Sequence, residues 1–260
     1  MDASEALLEK HGGTAIITLN RPDKRNALSA NMRAALALHL ADAAADDDIS
    51  VVLLRGEGSV FCGGLDANDL PDDPKLWRER VLAAQANHLA IVRMPKIVIA
   101  SVQGAAVGGG ASLALAADIL VMAEGARLSF PYVKLGIVPD GGSSYFLQAK
   151  LGTPLALDLL LTGGSLEAAD AARLGLTRRV VPEATLQDAS RELAAELLRL
   201  PAEALRLTKA LCARYWGDKL DAVLAEEADA FELATATKGF EAAIAALRRK
   251  AKLPAQSRQS

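Results

Sequence analysis

The chain of 260 residues has only two cysteines, Cys62 and Cys212, and three histidines. Two thiols so far apart make no disulfide framework, and without clustered histidines they suggest no zinc site. Both are expected to be buried thiols in a reducing compartment. Excess basic charge is also missing: the formal net charge is -3, so nothing pulls the molecule as a whole toward nucleic acid or an anionic membrane. No apolar run approaches the roughly eighteen residues of a membrane span. The start, Met1-Asp2-Ala3-Ser4-Glu5, lacks the basic head and apolar core of a signal peptide. These absences predict a cytoplasmic protein. What is present is core material, with 51% hydrophobic and 23% charged residues, enough for one large domain or a main domain with an appendage.

The most informative stretch runs from Ile97 to Ile119. The β-branched run Ile97-Val98-Ile99 leads to Gly104, three glycines follow at 108 to 110, and small apolar residues continue at helical spacing. That pattern predicts a buried strand, a tight turn and a helix N-terminus. Glycine there lets a ligand oxygen approach free backbone N–H groups at the positive end of the helix dipole. A glycine-rich turn kept only for close packing would look the same.

Other segments bear on that choice. Residues 6 to 20 read as a hairpin turning at His11-Gly12-Gly13, with His11 a solvated surface residue. The loop from Asn20 to Ser29 carries Arg21, Lys24 and Arg25, and Ser29 is placed to cap a helix over 30 to 45. Such a loop is either simply solvated or a contact for a phosphate-bearing ligand. The strand Val51–Arg55 precedes Cys62-Gly63-Gly64-Leu65-Asp66, a second glycine turn that can aim N–H groups at a ligand. Residues 67 to 75 are polar and broken by proline, and a helix from about Leu76 to Arg93 follows. Beyond the glycine-rich helix come strands at 119 to 123 and 127 to 130. A loop holding Tyr132 and Asp140 then opens a helix that ends near Leu151. Asp140, just before Gly141-Gly142, is either a helix N-cap or a functional acid. Helices are predicted at 154–162, 167–173 and 186–199, and from Ala202 to Lys252 the chain is nearly all amphipathic helix. Pro201 therefore divides a core, residues 1–200, from a helical C-terminal region, residues 201–260. Such a tail packs on a neighbouring subunit or over the site.

Five motifs in this order resemble the crotonase family, the enoyl-CoA hydratases and isomerases, from about Leu7 to Pro254. They are Leu19-Asn20-Arg21-Pro22 through Asn26-Ala27-Leu28, Phe61 to Asp66, Ile99 to Ile119, Phe130-Pro131 with Leu135 to Pro139, and Leu161-Thr162-Gly163-Gly164. The resemblance implies an α/β spiral of ββα repeats with a C-terminal helical region used in trimer assembly. Homotrimers, or hexamers as dimers of trimers, would follow. It also implies a coenzyme A thioester as substrate, with no separate cofactor or metal. The N–H groups of Leu65 and Gly109 would form an oxyanion hole. The loop at Lys24, Arg25 and Ala27 would hold the nucleotide end, with Gly64, Asp66, Ser112 and Tyr132 among the other substrate-binding positions.

Two such donors stabilise the enolate-like charge that forms beside a thioester carbonyl, one being worth roughly 3 kcal/mol. By the same resemblance, the two glutamates with which hydratases split water fall on Ser112 and Tyr132, so both carboxylates are missing. Asp140 falls where some family isomerases carry a catalytic aspartate, and one carboxylate suffices to move a proton between two carbons. The expectation is a double-bond shift with Asp140 as proton shuttle. Other readings stay open: a hydratase with a rebuilt acid and base, an aryl-CoA dehalogenase using Asp140, and a non-catalytic acyl-CoA binder. The dehalogenase needs a water-activating histidine, and His88 is one residue out of register for it; His39 has no visible partner. The first helix, whose one basic side chain is Arg33, argues against RNA binding.

Overall fold

The computed structural model describes residues 4–71, 73, 75–214 and 217–252. The first three residues, Asp72 and Pro74 of the proline-broken loop, and the last eight residues of the C-terminal region lie outside the described residues.

The hairpin is present as β1 (Ala6–His11) and β2 (Thr14–Leu19), antiparallel, with His11 exposed at its turn. Next come α1 (Ala30–Ala45), β3 (Val51–Gly56), α2 (Lys75–Arg93), β4 (Ile97–Val102) and the short β5 (Ala105–Val107). Then follow α3 (Gly109–Ala116), β6 (Ile119–Ala123), β7 (Arg127–Ser129), α4 (Ser143–Leu151) and α5 (Thr153–Thr162). The chain continues with β8 (Ser165–Glu167), α6 (Ala168–Arg173), β9 (Arg179–Val181), α7 (Leu186–Leu198), α8 (Ala202–Arg214), α9 (Gly217–Thr235) and α10 (Lys238–Lys252). Ser29 caps α1 by accepting from the Met32 N–H at 3.0 Å.

The main sheet runs β1-β2-β3-β4-β6-β9 and is parallel from β2 onward. Every residue of β4 is buried, as a central parallel strand covered on both faces requires. Its β-branched run was therefore a sound signal. A second sheet, β5-β7-β8, went unpredicted at β5 and β8 because three-residue strands carry no periodicity. Strands β3 and β4 are adjacent and parallel, so the loops leaving their carboxyl ends are neighbours. That is where open α/β sheets place ligands.

Among the described residues no strand follows β9. The C-terminal helices fold back on their own chain: α9 lies along α2, and Trp77 meets Phe231 at 5.4 Å and Phe240 at 5.3 Å between ring centroids. No described helix is long and apolar enough to cross a membrane. Two expectations are corrected. Cys212 is exposed on α8, whereas Cys62 is buried. His39 does have a partner, its Nε2 lying 3.1 Å from the Ala6 carbonyl.

Candidate active site

The two glycine turns are joined strand-fashion. Phe61 N–H donates to the Gln103 carbonyl at 3.0 Å, Cys62 N–H to Ala105 at 3.2 Å and Val107 N–H to Cys62 at 2.9 Å. Gly64 makes the approach possible: its φ is +78°, and a Cβ there would lie 2.2 Å from the Val107 carbonyl oxygen. The same point is 3.7 Å from the Gly109 nitrogen, so the Leu65 and Gly109 turns meet face to face. Among the described residues neither the Leu65 nor the Gly109 N–H donates to a backbone carbonyl. Gly109 opens α3, where helix geometry leaves N–H groups free and the dipole favours negative charge.

The basic loop docks on the first of these turns. Asn26, buried in the left-handed conformation, donates through Nδ2 to the carbonyls of Glu57 and Val60 and accepts from the Arg21 N–H. Lys24 and Arg25 are exposed and Ala27 half-buried beside it; none of the three lines the cavity. Asp66 is not a lining residue either. Its carboxylate is 2.8 Å from Arg21 Nη1 and accepts from Asn68. Desolvation works against the ionised form, but the Asn68 and Arg21 bonds outweigh it and hold Asp66 below the usual carboxylate range.

A cavity of about 220 Å³ opens between the turns. Leu65, Gly108, Gly109, Tyr132 and Asp140 line it, Gly63 rather than Gly64 faces it, and Phe231 and Leu247 close it from α9 and α10. Asp140 does not cap α4. The N-cap is Gly142, and the Asp140 side chain points into the cavity. Its Oδ1 is buried without a hydrogen-bond partner, 3.8 Å from where a Cβ on Gly109 would sit. Burial pushes the Asp140 carboxyl up, with the charges of His88 and Arg80 opposing. Among the described lining residues it is the sole carboxylate.

Ser112 and Tyr132 form a neutral cluster with Ser143. Ser112 Oγ lies 2.5 Å from Ser143 Oγ and 3.1 Å from the Tyr132 hydroxyl, which is 2.7 Å from Ser143 Oγ. Ser112 also donates to the Asp140 main-chain carbonyl at 2.9 Å. It is fully buried behind Tyr132 and holds the acid's backbone rather than lining the cavity. Burial, with the nearby Asp140 charge, pushes the Tyr132 phenol well above its ordinary value, so it stays protonated.

Arg80 and Ala84 were missed from sequence, while His88 was weighed only as a water-activating histidine and Arg33 only as the first helix's one basic side chain. Arg80, Ala84 and His88 form one stripe of α2 at spacing of four and face the cavity together with Arg33 of α1. Arg80 and His88 recur at helical spacing on a helix preceding the central strand, but nothing local said which face they served. His88 is buried, with Nδ1 at 3.0 Å from the Ala84 carbonyl and Nε2 at 3.2 Å from the Gly109 carbonyl. Burial pulls its pKa down while Asp140 pulls it up. Gly141 is required here, since a Cβ would fall 2.7 Å from His88 Nε2. Glu227, from α9, reaches the same turn and accepts from Gly142 N–H at 2.8 Å and from Ser144 Oγ at 2.6 Å. Among the described residues no three His, Cys, Asp or Glu side chains group as a metal centre would need.

N–H groups on two turns that donate to no main-chain carbonyl, a buried carboxyl with one oxygen unpartnered and an apolar cavity between them have the chemistry to hold a polarised carbonyl compound. Residues 9–256 match the family described as enoyl-CoA hydratase/isomerase, and the chain belongs to it. It is similar to the 1,2-epoxyphenylacetyl-CoA isomerase of Escherichia coli K12, 35% identical over 90% of this chain and 91% of that one. It is also similar to the 2,3-dehydroadipyl-CoA hydratase of the same organism, 32% identical over 95% and 96%. The solved structure of Pseudomonas aeruginosa OdaA superposes with a TM-score of 0.88, at 32% identity over 94% of this chain and 99% of that one.

Proposed function

We propose that this member of the family shifts a double bond in an acyl-CoA thioester. The Leu65 and Gly109 N–H groups hold the thioester oxygen as it gains enolate charge. Asp140 takes a proton from the carbon beside the carbonyl and returns it to a carbon further along. The observation that carries this is the buried, unpaired Oδ1 of Asp140 beside Gly109, the sole carboxylate among the described lining residues of the cavity. A hydratase needs an acid and a base on one water, and the neighbouring Ser112 and Tyr132 supply neutral hydroxyls tied to each other. The exposed Lys24 and Arg25, with Ala27, are assigned to the nucleotide end of coenzyme A; the thioester is substrate, and the chemistry calls for no further cofactor. A cytoplasmic homotrimer, or a hexamer of paired trimers, completes the proposal. Its test is the exchange of α-protons with deuterated solvent in a bound acyl-CoA. Asp140→Asn is expected to abolish exchange and leave acyl-CoA binding within a few-fold. Undiminished exchange overturns the assignment, and hydration without double-bond migration overturns the reaction.

The buried His88 beside Asp140 favours the aryl-CoA dehalogenase as a second reading. Its ring nitrogens lie 3.0 and 3.2 Å from the Ala84 and Gly109 carbonyls, so the imidazole is set against main chain on both edges rather than turned toward a water in the cavity. Halide release from a chlorobenzoyl-CoA would reverse that ranking.

A further inference from the structure

We infer that Arg33 and Arg80 form a binding site for an anionic group at the far end of the acyl chain, so that the substrate is a dicarboxylic acid joined to coenzyme A through one of its carboxyls. The inference rests on reading the cavity as an acyl-thioester site and adds the class of acyl group. Both guanidiniums line that cavity. Their side chains are nearly buried, with 12% exposure left for Arg33 and 10% for Arg80. Arg33 Nη1 donates to the Leu28 carbonyl at 2.7 Å and lies 3.1 Å from Asp69 Oδ2. Arg80 Nε donates to the Asp69 carbonyl at 3.0 Å, and its guanidinium carbon is 5.3 Å from the centre of the Trp77 ring. These contacts fix the fork of Arg80 but do not use all of it. Its Nη2 is buried with no hydrogen-bond partner, 3.7 Å from Asp69 Oδ2 and beyond bonding distance.

Two guanidiniums share one adjacent carboxylate, Asp69, while Asp140 and His88 face the pair from across the cavity and Glu79 borders it on the open side, so the case for an anion rests on the unused Arg80 donor. Burial and the Arg33 charge pull Arg80 down to about 10, with the Asp69 and Asp140 charges opposing, and it stays charged at neutral pH. A planar fork with a free donor suits a carboxylate, which it can bind through two parallel bonds. The placement suits the far end of a chain. Arg80 lies eight residues before His88 on α2, about 12 Å along the helix axis, and His88 is the residue that touches the Gly109 carbonyl. The two arginines also border a more open cavity of about 500 Å³ beneath residues 68–71, so a terminal carboxylate bound between them keeps some contact with water.

Calorimetric titration with unreactive saturated thioesters tests this independently of turnover. Succinyl-, glutaryl- and adipyl-CoA are each compared with the monocarboxylic thioester of equal length, butyryl-, valeryl- or hexanoyl-CoA. At least one dicarboxylic member is expected to bind about tenfold more tightly than its partner, a tenfold ratio being about 1.4 kcal/mol. In Arg80→Gln and Arg33→Gln that ratio is expected to fall to near one, and Arg80→Lys, which keeps the charge, to retain part of it. A wild-type ratio of one or below at all three lengths overturns the inference, as does a ratio that survives in both glutamine variants. Preference for the dicarboxylic thioester without α-proton exchange would support the anion site while overturning the isomerase reading. Failure to bind any acyl-CoA would overturn both.

Discussion

At the scale of the residue, the site turns on how Asp140 is kept reactive. A carboxylate that accepts several hydrogen bonds is a weak base, whereas one buried without a partner is a stronger base once ionised. Ser112 donates to the Asp140 main-chain carbonyl, as does the Ser143 N–H at 3.2 Å, and Oδ1 is left without a partner, although a Tyr132 hydrogen bond to the side chain partly offsets the effect of burial. Burial raises its pKa and the His88 charge opposes the rise most. The ionised form is the base, so kcat/KM for proton exchange is expected to climb with pH through an acid limb above the ordinary carboxylate range. His88→Gln removes the chief opposing charge and should move that limb to higher pH. A limb that stays put or moves down would show that another group titrates. Asp140 was legible as a candidate acid because it stands alone in a glycine-rich turn, yet sequence offered capping and chemistry equally. The structure separates them, since Gly142 is the N-cap and the Asp140 side chain faces the cavity with Oδ1 buried.

At the scale of the element, the turn bearing Asp140 is held from a distance. Its helix α4 starts at Gly142, which has no side chain to cap with, and Glu227 of α9 supplies the missing acceptor. Burial pushes the Glu227 carboxyl up to about 7, with its bonds to Ser144 and Gly142 opposing and Asp140 adding to the rise. A folded carboxyl titrating near 7 and an unfolded one near 4.5 make the native state bind the extra proton between those values. Stability should therefore fall as pH rises from about 4.5 to about 7, on the order of 3 kcal/mol in all, and level off above. Thermal unfolding of wild type and Glu227→Gln across that range isolates the contribution. The variant is expected to lose this downward slope, and parallel curves would reject the role. Elements were legible where a period or a cap marked them: α1 after Ser29, β4 by its β-branched run, α7 by its amphipathic pattern. Partnerships such as Glu227 with Gly142, or Arg80 with Arg33, were not, because they join segments with no shared local pattern.

At the scale of the whole molecule, the C-terminal helices act as part of the site. Pro201 falls between two helices, α7 and α8, and the last described strand, β9, ends earlier at Val181. What the sequence left open was where the C-terminal helices would lie, and α9 lies on α2 with Phe231 wedged between Trp77 and the cavity. Phe231 therefore serves core and pocket together. Phe231→Ala is expected to cost about 3–5 kcal/mol, as large buried aromatics do. It should also weaken acyl-CoA binding, because the cavity loses one wall. Leu233, two positions on, is 74% exposed in the single chain, and Leu233→Ala is expected to change stability by no more than about 0.5 kcal/mol if water covers it. Thermal melts of the two variants, run beside sedimentation, read tail packing and assembly separately. A mild Phe231→Ala would refute the closed arrangement of the tail. A costly Leu233→Ala, with a mass that falls on dilution, would mean that another copy of the chain covers this face.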